Sequence, residues 1–180
     1  PVDFWRTKHA VEQHLKASGL SWTILRPAAF MEMHAHELIG RSVMAGATAF
    51  IFGRGDRPMN FVAVRDVARL AVKAATDPAL QGRTIEIGGP ENLTQNEVAA
   101  LYGRLCGREP KVRHIPPGAL RVLAAVIGPI HPGVARIMRA SIAAGSRDER
   151  WEARGLLREH PMAVTRLEDV ARRFIAARPD

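Results

Sequence analysis

Ser18-Gly19-Leu20-Ser21-Trp22-Thr23-Ile24-Leu25-Arg26-Pro27 contains the end of one helix and the whole of one strand. Ser18-Gly19 is the kind of pair that stops a helix, because glycine accepts the left-handed backbone of a C-terminal cap. Trp22-Thr23-Ile24-Leu25 is bulky or β-branched throughout, too short for a helix, and closed by Pro27, so it reads as a buried strand. Upstream, the apolar residues from Phe4 to Ala17 fall near helical spacing. A helix running into a buried strand is the repeating step of an open α/β sheet.

The rest of the chain repeats that step. A helical stretch from about Phe30 to Ala45 leads to extended Thr48–Phe52, the turn Gly53-Arg54-Gly55-Asp56 and a second extended run, Asn60–Val64. Asp66 precedes the helical stripe Val67, Leu70, Ala71, Ala74 and is expected to cap that helix with its carboxylate. Thr84–Ile87 alternates as a strand and ends at Gly88-Gly89-Pro90, after which Thr94-Gln95-Asn96-Glu97 spells a capping box for a helix to about Cys106. Lys111–Ile115 is extended. From Gly118 the sequence is mainly helical, broken at Pro129, Pro132 and Gly145, and Thr165-Arg166-Leu167-Glu168 is expected to open a last helix by the same capping logic. The expected architecture is α/β: a partial Rossmann-like, doubly wound, largely parallel sheet followed by a helical C-terminal region. Such sheets bind ligands at the carboxyl ends of their strands, which here means the residues after Arg26 and after Ile87.

At 180 residues and 47% hydrophobic the chain can bury a real core. Its single cysteine, Cys106, excludes a disulfide framework or a cysteine zinc site and makes a reducing, cytoplasmic setting the default. The apolar run Ala119–Ile130 is too short to span a bilayer, so no membrane partner is expected. The formal charge of +8 is nearly all an arginine excess, interleaved with acids from Arg6 to Arg178. That spread, without a lysine-rich tail or alternating aromatics, argues against nucleic acid as partner. Arg147, Arg150, Arg154 and Arg158, with Asp148, Glu149 and Glu152 among them, read as a solvated mixed-charge face. The opening Pro1-Val2-Asp3, without an initiator Met, reads as a cut start, and an unpaired sheet edge or face left by missing strands would favour self-association, a possible homo-oligomer.

Three segments in order carry a family resemblance: Lys8 with Glu12 on the first helix, Ser18 to Pro27, and Phe61-Val62-Ala63-Val64-Arg65-Asp66-Val67-Ala68. Together they resemble the second half of an extended or atypical short-chain dehydrogenase/reductase, most similar to its NmrA-like, NAD(P)H-binding branch. The resemblance covers roughly Phe4 to Leu105. It implies a dinucleotide cofactor, NADP or NAD, with residues 1–115 forming the second half of the Rossmann-like domain and residues 116–180 a helical substrate-side region. It further implies that Lys8 holds the nicotinamide ribose, that Pro27 and the backbone of Ala28 and Ala29 lie beside the nicotinamide, and that Phe30 and Met31 line the substrate side. Proline ending a strand is expected to leave the following amides facing the ligand.

Two departures matter. Where conventional members carry a proton-exchanging tyrosine, one turn before Lys8, this chain has Phe4, whose phenyl ring can pack against substrate but cannot act as a general acid. The family's glycine-rich phosphate-binding turn is not among the 180 residues; Gly53-Arg54-Gly55-Asp56 lies between two extended runs and reads as an ordinary turn. The resemblance therefore implies an oxidoreductase delivering hydride to a flat apolar, quinone-like or carbonyl small molecule. The alternative it leaves is a non-catalytic module that senses NAD(P). Lys8 pairing with Glu12 in solvent, and Phe30, Met31 and Met33 as plain core, are the competing readings of those residues. Glu32, His34 and His36 suggest a metal, but residues two apart on a helix point to opposite sides, so the two histidines cannot share an ion.

Overall fold

The computed structural model describes residues 3–144 and 162–177. Helix α1 (Asp3–Ala17) stops at Gly19, whose φ of +73° is the left-handed cap conformation that favours glycine. Strand β1 (Thr23–Pro27) follows and pairs in parallel with β5 (Arg83–Ile87), Thr23 opposite Arg83 and Pro27 opposite Ile87. At residue 28 the chain changes partner. Ala28 donates its amide to the Ile87 carbonyl at 2.8 Å, and β2 (Ala29–Phe30) then runs parallel to β4 (Met59–Val62). The other side of β4 takes β6 (Asn92–Leu93) in antiparallel register, while β3 (Ala49–Phe52) pairs in parallel with β7 (Val112–Ile115). The sheet is thus largely parallel, as the alternation of strands and helices implies, and it is broken into three small pieces.

The stretch expected as an ordinary helix is a wide one. From Met31 to Gly40 the backbone bonds skip five residues, the amide of Arg41 donating to the carbonyl of His36, before α2 (Arg41–Met44) resumes the α spacing. Met31, Ala35, His36, Ile39 and Gly40 of this stretch turn inward, and Val43 and Met44 of α2 continue the buried face. Gly40 shows why one face must be bare: a Cβ there would lie 2.4 Å from Cζ of Tyr102.

Helix α3 (Val64–Thr76) corrects one expectation. Asp66 is not its cap; it lies inside the first turn, fully buried, and the amide at the helix start, Val64 N–H, is accepted instead by the Glu32 carboxylate at 3.0 and 3.2 Å. Helix α4 (Gln95–Leu105) begins with the expected capping box: Thr94 Oγ1 accepts from Glu97 N–H at 3.1 Å, and the Glu97 carboxylate accepts from Thr94 N–H at 2.7 Å. Helices α5 (Pro117–Ile127) and α6 (Pro132–Ala144) pack on each other, and α7 (Leu167–Ala176) closes the described chain. Thr165 does not cap α7. Arg166 occupies the cap position without a side-chain bond, and the Thr165 hydroxyl instead donates to Asp66 and accepts from Arg65.

The main core gathers Met31, Ile39, Ile51, Phe61 and Tyr102 with Leu167 and Val170 of α7, so the last helix packs into the same interior as the strands. A second cluster, Val62, Leu70, Leu80, Ile85 and Ile87, joins α3 to β5. Among the described residues no helix is long and apolar enough to cross a membrane. The arginine-rich segment from Arg147 to Arg158 lies outside the described residues.

Candidate functional site

A cleft of about 1460 Å³ opens beyond the carboxyl end of β1, where the chain exchanges β5 for β4. Four parts of the chain supply its walls: Lys8 and Glu12 of α1, Arg26 to Phe30, His34 and Leu38 of the wide helix, and the segment Phe52 to Met59. Helices α5 and α6 contribute Leu120, Arg121 and Arg136. Lys8 and the consecutive Pro27, Ala28, Ala29 and Phe30 therefore share one cavity.

The N-terminal wall is fixed by an ion pair. Arg26 presents a fork to Glu12, Nε to Oε1 at 3.0 Å and Nη2 to Oε2 at 2.6 Å, and reaches Glu86 of β5 at 3.7 Å. A bidentate guanidinium–carboxylate contact is the geometrically specific kind, and here it ties α1 to β1. The hydrogen bond from Arg26 holds the Glu12 carboxyl below its ordinary pKa and raises that of Arg26. Glu12 is thus the partner of Arg26 at both oxygens.

Pro27-Ala28-Ala29 forms a shelf of small apolar side chains next to that wall. The expectation that its amides face a ligand fails for Ala28, whose N–H is committed to Ile87 by the change of sheet partner. Met31 is the second correction. It is 1% exposed and packs in the main core, its Cε 3.1 Å from where a Cβ of Gly89 would be, because the inward face of the wide helix begins at this residue. Phe30, one position earlier, lines the cleft. The side chain of Phe4 lies outside the described residues.

The two histidines separate as their spacing requires. His34 lines the cleft, and the surrounding protein, by desolvation, holds its pKa below the ordinary value against a hydrogen bond with the Phe30 backbone. His36 points into the core, stacked on Phe174 with ring centroids 3.6 Å apart, its Nδ1 3.2 Å from the Tyr102 hydroxyl. Burial pushes the Tyr102 hydroxyl pKa well up, and the chain has no other tyrosine.

The second strand end is closed. Gly89 N–H donates to Oδ1 of buried Asn60 at 2.8 Å, and the Asn60 amide donates back to the carbonyls of Gly89 and Glu91, so Gly88-Gly89 is a structural turn held to β4. A Cβ at Gly89 would meet the Phe61 carbonyl oxygen at 2.0 Å. The turn Gly53-Arg54-Gly55-Asp56 is the ordinary turn expected, with φ of +73° and +64° at its two glycines, and it also forms part of the cleft. Asn96 anchors it, its N–H donating to the Gly55 carbonyl at 3.1 Å and its Nδ2 to the Arg54 carbonyl at 2.9 Å. Sequence reasoning missed this turn as a cleft wall, together with His34, Arg121 and Arg136. The Arg54–Arg57 spacing around a tight turn was the available signal for the first.

A crevice at the carboxyl end of parallel strands, at the point where a strand changes partner, defines an α/β protein of the Rossmann-like kind. Residues 1–144 match the NmrA-like family, and the chain belongs to it. It is 38% identical over 104 residues to (4-alkanoyl-5-oxo-2,5-dihydrofuran-3-yl)methyl phosphate reductase of Streptomyces griseus, covering 57% of this chain and 36% of that protein. It is 29% identical over 108 residues to NAD(P)H azoreductase of Xenophilus azovorans, covering 60% and 37% respectively. The chain thus matches little more than a third of each relative's length. The structure of leucoanthocyanidin reductase from Vitis vinifera, a binary complex with NADPH, superposes with a TM-score of 0.74 at 17% identity over 97% of this chain and 59% of that one, a likeness of fold.

Proposed function

We propose that this chain forms the nicotinamide-side and acceptor-side walls of an NAD(P)H-dependent reductase that passes hydride to a flat, apolar acceptor of quinone-like, azo or carbonyl type. The observation that carries it is the meeting of Lys8 with the Pro27–Phe30 shelf in one cleft at the carboxyl end of β1. Its relatives include a reductase named for NAD(P)H and azo compounds.

The residues present suit a nicotinamide riboside. Lys8 would hold ribose hydroxyls through its ammonium, and the small side chains of Pro27, Ala28 and Ala29 would take a flat ring against them. When bound, the reduced nicotinamide supplies the hydride equivalent. The chain's own contribution is positioning and desolvation: Phe30 and Leu38 present apolar surface to the acceptor. No tyrosine of this chain serves as proton donor, since the sole one is buried against His36. His34, the cleft histidine, holds a proton when charged and is the candidate donor for acceptors that need one on oxygen; quinone-like acceptors take theirs from solvent. No Gly-x-x-Gly-x-x-Gly stretch occurs in the 180 residues, and the assignment concerns the nicotinamide end alone.

Stopped-flow oxidation of NADPH and NADH by the protein, with a quinone, an azo dye and a carbonyl compound as acceptors, tests this. Acceptor-dependent oxidation supports a reductase. Cofactor binding with no oxidation by any of the three overturns it in favour of NAD(P) sensing, the reading that Phe4 at the tyrosine position favours.

A further inference from the structure

The charges of the cleft are unevenly matched. Its lining carboxylates among the described residues are Glu12 and Asp56, and each is held by an arginine: Glu12 by Arg26 at 2.6 Å, Asp56 by Arg54 at 2.9 Å. Arg121 of α5 and Arg136 of α6 line the same cleft, on two helices that pack together, and neither takes part in any ion pair among the described residues. Beside them Pro116, Pro117 and Leu120 present apolar surface. Two guanidinium groups in a concave, partly apolar wall, with both lining carboxylates among the described residues already engaged, focus a positive field that an anion satisfies best.

The size of the cavity bears on what the anion belongs to. About 1460 Å³ exceeds the roughly 300–1,000 Å³ of an ordinary small-ligand pocket, leaving space for a nicotinamide end and for an acceptor with a substituent reaching toward α5 and α6. Lys8 and the Pro27–Ala29 shelf belong to α1 and the strand end, whereas Arg121 and Arg136 belong to the helical region.

We propose that the acceptor is itself an anion, a flat unsaturated body carrying a carboxylate or phosphate, and that Arg121 and Arg136 bind that group and so determine specificity. This rests on the reductase reading for the identity of the ligand as acceptor, while the anion site itself is testable without turnover. The probes are azobenzene-4-carboxylate and azobenzene-4-carboxamide, equal in shape and different in charge, titrated calorimetrically into the protein, into R121Q/R136Q, and into R104Q, which removes a charge on α4 away from the cleft. The carboxylate is expected to bind roughly ten- to a hundredfold more tightly than the carboxamide to the unaltered protein and to R104Q, and R121Q/R136Q to abolish the preference while leaving carboxamide affinity unchanged. Equal binding of the two probes, no binding of either, or a preference that survives in R121Q/R136Q overturns the proposal. A third arm titrates NADPH and NADH: loss of NADPH affinity in R121Q/R136Q with the carboxylate preference intact assigns the arginines to cofactor phosphate and likewise overturns it. Anion preference without NADPH oxidation leaves the site standing and removes the reductase reading; oxidation without anion preference does the reverse.

Discussion

The Asp66 carboxylate accepts both the backbone N–H of Thr165, at 2.6 Å, and its hydroxyl, at 3.0 Å, across 99 positions of sequence. Asp66 is fully buried, and Arg69 completes its charge balance at 3.2 Å while Arg65 donates to the same threonine hydroxyl at 2.7 Å. One carboxylate in the first turn of α3 thus fixes the point at which α7 enters the main core.

Asp66→Asn turns one acceptor into a donor facing a buried N–H, and leaves Arg69 without its counter-charge. A loss of about 2–4 kcal/mol of stability is expected, read from urea unfolding. Hydrogen exchange should rise first in Leu167–Ala176, and uniform exchange across the chain would show that the contact is not what docks that helix.

Gly40→Ala sets two effects against each other. Alanine gains up to about 1 kcal/mol of helix propensity over glycine, but its Cβ would stand 2.4 Å from the Tyr102 ring, and overpacking of that kind costs about 1–3 kcal/mol. Destabilisation is the expected net result, seen as a lowered thermal midpoint. An unchanged or raised midpoint would mean that the wide helix can shift away from Tyr102.

His36 makes stability depend on pH in a defined direction. Burial lowers its pKa and outweighs the nearby charge of Glu37, so the folded protein binds this proton less readily than the unfolded chain does. The contribution is whole above the unfolded value of about 6.5 and is lost as pH falls from there toward the folded value. Urea midpoints should therefore drop between about pH 7.5 and 5.5, and His36→Gln should flatten that drop. An equal slope in both proteins would place its origin elsewhere.

Lys8 and Phe4 separate binding from chemistry. Lys8→Ala should raise the cofactor dissociation constant roughly ten- to a hundredfold if its ammonium holds the ribose, as measured by cofactor fluorescence. Phe4→Tyr should create or raise activity with carbonyl acceptors and change quinone reduction little, because only the former need a proton delivered to oxygen. Unaltered affinity in Lys8→Ala would return Lys8 to the role of an ordinary helix lysine.

Much of the fold is written locally. Gly19 stops α1, Pro27 ends β1 and the Thr94–Glu97 box starts α4, each through bonds and torsions within a few residues. The two capping assignments that failed, Asp66 and Thr165, failed together and for one reason: each side chain found the other across the fold, and Glu32 took over the start of α3. Met31 was misplaced because an apolar residue after a strand fits a core and a cleft equally well, and only the turn of the helix distinguishes them.

The local pattern of the sequence therefore determined most of the order of helices and strands, without β2, β6 and the wide form of the Met31–Gly40 helix, together with the parallel character of the sheet and one of the two strand ends, after Pro27, where a cleft was expected. Of the family segments, Lys8, Glu12, Arg26 and Pro27 line that cleft, while Val64–Ala68 lies elsewhere, at the start of α3. Tertiary structure alone decided that Glu12 belongs to Arg26, that the Ala28 amide is spent on Ile87, that His34 faces the cleft while His36 stacks on Phe174, and that Arg121 and Arg136 reach the same cavity. Local bonds and periodicity reach only a few residues along the chain, whereas each of these pairings joins side chains or backbone groups that only packing brings within a few ångströms.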